Sequence, residues 1–209
     1  TLHLDNGILN SEVTGSGLTT ITNTVTSNAN INNNIYINNG ASLYLPSNYV
    51  GGEVENDGKI YLNGGTLNYS ISGKGTIYTQ GTYTIVADGV YINQNVSSPD
   101  FYNVLRINAD YLKGTVSGGW VELYGGYLSY NVGGARILRN VFVDDNVTLG
   151  GARMGESSTG ASRTNSNLFV NANKIGYIDI YGYKSWNNNA YITGGTAKGH
   201  YGQNDRAYS

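Results

Sequence analysis

A chain of 209 residues with 30 Gly, 19 Tyr, 2 Pro and no Cys is too aromatic for a disordered linker, and it has no disulfide or thiolate metal chemistry. Charged residues make up 12% and the formal net charge is −2, so no basic stripe serves nucleic acid. No apolar run reaches about 18 residues, so no helical segment of this sequence inserts into a membrane.

In chain order, the first predicted strand is Thr1-Leu2-His3-Leu4, which aligns with Lys59-Ile60-Tyr61-Leu62. The chain is therefore expected to start inside a repeat strand, as a piece of a longer rod or with its first coil covered by another molecule. Next comes Gly7-Ile8-Leu9-Asn10, with Val13, Gly15 and Gly17 behind it. It returns as Gly65-Thr66-Leu67-Asn68 with Ile71, Gly73 and Gly75, and again as Gly126-Tyr127-Leu128-Ser129 with Val132 and Gly134. The three copies thus open at Gly7, Gly65 and Gly126, at nearly equal intervals. A period of about 60 residues made of β-formers and Gly turns marks stacked units instead of a globule around one centre.

Between these copies, Ile35 and Ile37, Leu43 and Leu45, Ile60 and Leu62, and later Ile178 and Ile180 alternate with polar residues. That is the period of strands with one buried face. Residues 43–54 align with 105–116, pairing Leu43 with Leu105, Gly52 with Gly114 and Val54 with Val116. Residues 58–67 align with 119–128, and 168–183 form a shortened third echo. The expected unit is a strand, an Asn-containing corner, a second strand, a Gly turn and a third strand. The fold class is all-β: a parallel β-solenoid (β-helix) of about ten coils, three coils of about 20 residues to each unit, near 50 Å long. A β-sandwich of duplicated hairpins is the alternative. Residues 1–149 are expected to be regular repeats and 150–167 a loop or lateral excursion. Residues 168–193 read as a last short repeat, and 194–209 as a cap or linker tail.

Leu62, Gly64, Gly65, Leu67, Ile71, Gly73 and Gly75, with Ile107, Asn108, Ala109, Leu112, Gly114, Val116 and Gly119, form a pattern that resembles the repeats of bacterial autotransporter and filamentous-adhesin passenger domains. The resemblance spans roughly 1–149 and 168–183. It implies a secreted, right-handed parallel β-helix at the cell surface, used for adhesion, self-association or display, without catalysis and without a cofactor. A C-terminal membrane barrel and a signal segment, which full passengers carry, are not in this sequence.

Candidate binding residues are aromatic. Tyr61, Tyr69, Tyr124, Tyr130, Tyr181 and Tyr183 lie on or beside repeat strands, and Tyr61, Tyr69 and Tyr130 are expected to point outward. Tyrosine offers an apolar face with a polar tip, suited to glycans or to host and sister-cell surfaces; the competing reading is a ladder that only stiffens the rod. Arg153 and Arg163, with Arg136 and Arg139, could fork onto an anionic glycan, or pair with the interleaved Asp144, Asp145 and Glu156. The runs Asn32–Asn34 and Asn187–Asn189 read as corner and ladder residues.

Two other functions compete with the adhesive rod. A polysaccharide-processing β-helix of the phage-tailspike or pectin-lyase type would need two carboxylates, from Asp110, Asp144, Asp145 or Asp179, facing one groove. Asp-Asp-Asn is ordinary turn chemistry, however, and His200 falls in the irregular tail. A filament subunit would be completed by strand pairing between chains at residues 1–5. No metal site is predicted.

Overall fold

The computed structural model describes residues 1–98, 104–118, 121–154, 165–180, 188–195, 198–201 and 206–208. All paired strands are parallel and stack into a β-solenoid of about nine turns, so the sandwich alternative falls.

Each turn is triangular. The first face carries 2–4, 18–21, 34–37, 54–56 and 71–72, and higher up 126–128, 140–143, 166–171, 188–193 and 206–208. The second face carries 7–9, 24–27, 42–45, 95–98 and 116–118. The third carries 105–107, 121–123, 135–137, 152–154, 178–180 and 199–201. Two long strands, Lys59–Leu67 and Thr76–Val86, run round the corner between the second and third faces and weld them into one 13-stranded sheet. Of the segment expected to be an excursion, 152–154 and 166–167 are strand in register with their neighbours, and 155–164 lie outside the described residues. The segment 194–209, expected to be a cap or linker, places 199–201 and 206–208 in register on this stack.

The alternation read from sequence is the core. One column on the second face runs Val25, Leu43, Ile60, Ile77, Val96, Val116, Val132, Leu149 and Ile175, each paired with the next and each buried. Branched aliphatics fit a pleated half-buried surface, and a column of them makes every turn the floor of the next.

The long repeat is not an integral number of turns. Gly7, Val25, Leu43 and Ile60 are successive positions on the second face, and Gly65 then lies on the third face beside Thr84. Gly65, Thr84, Leu105 and Val121 climb the third face, and Gly126 then lies on the first face beside Val141. Each copy therefore takes three turns and one face, not the three coils expected, and each starts one face further round the rod. The 3-10 corners at 47–49, 109–111 and 172–174 follow the same screw, one to each repeat. Asn108 and Asn171 cap the later two by accepting from the amides of Asp110 and Asn173. Gly7, Gly65 and Gly126 have φ of +115°, +95° and +97°, a region that side-chain-bearing residues rarely enter. The glycines of the repeat are thus fixed by backbone geometry.

Candidate functional site

Because buried and exposed residues alternate along each strand, the outward side chains also form columns, and their chemistry differs from face to face. On the second face Tyr44, Tyr61 and Tyr78 are in register and stacked, with ring centroids 4.1 and 4.7 Å apart. On the first face Phe142, Phe169 and Tyr191 stack at 4.4 and 4.6 Å, with Tyr127 in register below them. On the third face the column is ionic: Arg106, Glu122, Arg136, Arg153 and Asp179. Tyr44, Arg106 and Phe169 occupy the same position of successive repeats, one face apart.

The ionic column is closed. Glu122 and Arg136 are fully buried although they sit on the outward side of their strands. Glu122 is held by Arg106 at 2.7 Å and by Arg136 at 3.2 Å. Arg153 lies 3.9 Å from Asp179, which also accepts a 2.7 Å bond from the Tyr177 hydroxyl. Arg106 further stacks over Tyr83, 5.7 Å from the ring centroid. Local pairing of the arginines, one of the two outcomes weighed, holds for Arg136 and Arg153, through Glu122 and Asp179. Arg163, Glu156, Tyr181 and Tyr183 lie outside the described residues.

The tyrosines divide. Tyr61 points outward as expected, yet both of its ring faces are covered, by Tyr44 and by Tyr78. It presents an edge and a hydroxyl, not a platform. Tyr124 is half-buried and its hydroxyl donates to the Val86 carbonyl at 2.8 Å, bracing the rod across two turns. Tyr69 and Tyr130 are exposed, so these two keep the geometry of the expected contact residues.

Burial and the neighbouring Tyr44 hydroxyl push the Tyr61 phenol up to about 12, against about 10 for free tyrosine. A phenol with a raised pKa in the fold stabilises below its unfolded pKa, and that contribution is lost as pH climbs through the folded value. Stability is expected to be flat up to about pH 10 and to decline between about 10 and 12. Following phenolate absorbance and ellipticity together tests this; ionisation of every tyrosine in one step near pH 10 contradicts it.

Two of the four carboxylates proposed for catalysis are tied into corners. Asp110 accepts from the Tyr127 amide at 2.8 Å, and Asp144 from the Tyr127 hydroxyl at 3.1 Å and the Asn146 amide at 2.7 Å. Those bonds, the Asn146 amide first, hold Asp144 below the usual carboxylate range. Asp179 is on a different face, in the ionic column. His200 is in a strand in register with Asp179, not in an irregular tail. Among the described residues no three His, Cys, Asp or Glu gather as metal ligands.

A concavity that the sequence did not announce lies low on the first face. It is an open groove of about 550 Å3 lined by Leu18, Asn34, Tyr36, Glu53, Glu55, Ser70 and Ser72. The Tyr36 hydroxyl bonds Asp57 at 3.1 Å. Alternation of Glu53 and Glu55 around Val54 was the available signal, and it reads equally as a solvated face.

Comparison with protein-family models, curated proteins and solved structures finds no match to this chain. The class defined by fold and surface is a parallel β-solenoid with laddered faces.

Proposed function

We propose that this chain is a structural and adhesive segment of a rod displayed outside the cell, of the autotransporter or filamentous-adhesin passenger type, and that it does no catalysis. One observation carries the reading. Outward side chains are engaged mostly by the equivalent residue one turn away, as in Tyr44–Tyr61–Tyr78 and Asn140–Asn167–Asn189, instead of converging on a pocket. Such ladders stiffen a stack and offer long, periodic faces to glycans or to other surfaces. The corner bonds that hold Asp144 below the usual carboxylate range speak further against its serving as the general acid of a glycosidase, a role that needs a carboxyl pKa raised toward neutrality.

The test is a glycan array run beside a polysaccharide depolymerisation assay. Retention of glycan or of cell surface without chain shortening is the expected result, and shortening of any polymer would establish the enzyme reading in its place. The filament reading has one observation in its favour: Leu2, in register with the buried Thr19 and Ile35, is 38% exposed in the first turn, an edge that another copy would cover.

A further inference from the structure

We propose that the aromatic strip high on the first face pairs with the same strip of a second copy of this chain, the two solenoids lying side by side. The proposal rests on the adhesive reading and specifies which surface self-associates. Three observations select this strip. It is apolar and open: Phe142 is 45% exposed and Tyr191 36%, while the ionic column is closed and Tyr61 is half-buried. Its middle is uncharged: the column beside the rings is a ladder of Asn140, Asn167 and Asn189, joined by amide bonds of 2.8 and 2.9 Å, with Arg206 in register above Asn189 and Asp144 on the Tyr127 hydroxyl below. Two copies can therefore meet there without like-charge repulsion, whereas self-pairing lower on the same face would set Glu53 and Glu55 against their own equivalents.

Ring orientation favours a protein surface over a sugar. Phe142, Phe169 and Tyr191 lie within 8° of parallel, each face turned to the next ring, so the strip presents edges between rows of amides. A pyranose needs an open ring face. A second ladder with the same spacing of about 4.8 Å can instead interdigitate edge to edge, as stacked aromatic and Asn ladders do between paired sheets. A twofold axis makes the contact self-complementary and closed. Four turns by three outward positions cover several hundred Å2 per copy, which falls in the size range of weak, transient contacts.

Sedimentation velocity of the whole chain over rising concentration, to about millimolar, tests the proposal. A reversible dimer is expected. Phe142→Lys and Tyr191→Lys should each weaken it at least about tenfold with an unchanged β circular-dichroism spectrum. Phe142→Thr, which keeps a strand former at the site, should weaken it as well, and covers the case in which lysine disturbs the ladder. A chain that stays monomeric overturns the pairing. So does a dimer that survives Phe142→Lys, or one abolished by Leu2→Lys alone, which would mean end-to-end strand pairing. A monomer that still captures glycan on the array removes only this inference and leaves the adhesive function standing. A strip dimer that captures no glycan confirms the pairing and removes glycan as the ligand.

Discussion

Gly114→Val should cost about 3 kcal/mol or more and melt the middle of the solenoid well before its ends. A β-carbon at 114 would fall on the Gln94 carbonyl group, with the Asn95 nitrogen only 2.7 Å away. That carbonyl cannot give way easily. Gln94 is 3% exposed, and its side-chain amide donates to Ser72 O at 2.7 Å and Asn56 O at 2.5 Å. Asn56 returns a 2.9 Å bond and is itself fully buried. Gln94 thus joins three turns at an internal corner, and any displacement strands buried amides. Gly52, the equivalent residue of the preceding repeat, meets the backbone of Asn33 and Asn34 in the same way. The contrast is Gly89, which has φ of +79° and nothing within 4 Å of an added β-carbon. Gly89→Ala should cost only the left-handed strain of about 1–2 kcal/mol. Urea melts rank the variants, and hydrogen exchange locates the damage, with protection lost first around 92–118 because each turn rests only on its neighbours. Equal melts for Gly114→Ala and Gly89→Ala would mean that the close approach at 114 does not exist.

Much of this architecture is legible in the residues, and the illegible part has a definite cause. Ile35, Leu43, Ile60 and Ile178 announce buried strand positions because the pleat forces a period of two. The repeated glycines announce corners because Gly7, Gly65 and Gly126 need positive φ. The alignment of Leu43 with Leu105 is correct, and even the Asn corners are where it places them. It gives an offset but not the length of a turn. Turn length varies: one turn runs from Thr19 to Ile35, and another takes the longer stretch from Ile71 to Ile92. The long offset read as three coils keeps every copy on one face; read as three turns and a third, it sends each copy to a new one. That ambiguity hid the outward columns. Arg106, Glu122 and Arg136 meet on adjoining turns, and a repeat template three turns long never pairs them. Phe142 is hidden for the same reason, since its partner Phe169 follows only on the far side of residues 150–167. Tyr61 is legible as outward, yet only the register of Tyr44 and Tyr78 reveals that its ring faces are occupied.

Glu122→Ala should destabilise the chain by about 3–5 kcal/mol, the range for removing one partner of a buried ion pair. Its carboxylate is fully buried and takes charge-assisted bonds from Arg106 at 2.9 Å and Arg136 at 3.2 Å. Removing it leaves the two guanidinium groups facing each other across one strand, in a setting where the Arg136 side chain has no contact with water. The charge, more than the lost contact, is the expected cause. Glu122→Gln keeps the shape but removes the charge together with one of the two accepting oxygens, turning an amide donor toward a guanidinium, and should still cost most of the effect. Glu122→Leu combined with Arg136→Met removes both buried ions and refills the volume, and should recover much of the loss, because a buried pair offsets little more than its own desolvation. Thermal and urea melts of the three variants decide the matter. If Glu122→Ala and the double variant are equally unstable, the column contributes through packing, and its ions are incidental. If the double variant matches or exceeds the parent, the ionic column is not there for stability. Its value would then lie in register along the lower part of this face, where a slip of one turn sets Arg106 against Arg136: Glu122 between them specifies which turn stacks on which, whereas Arg136 and Arg153 adjoin in the native register.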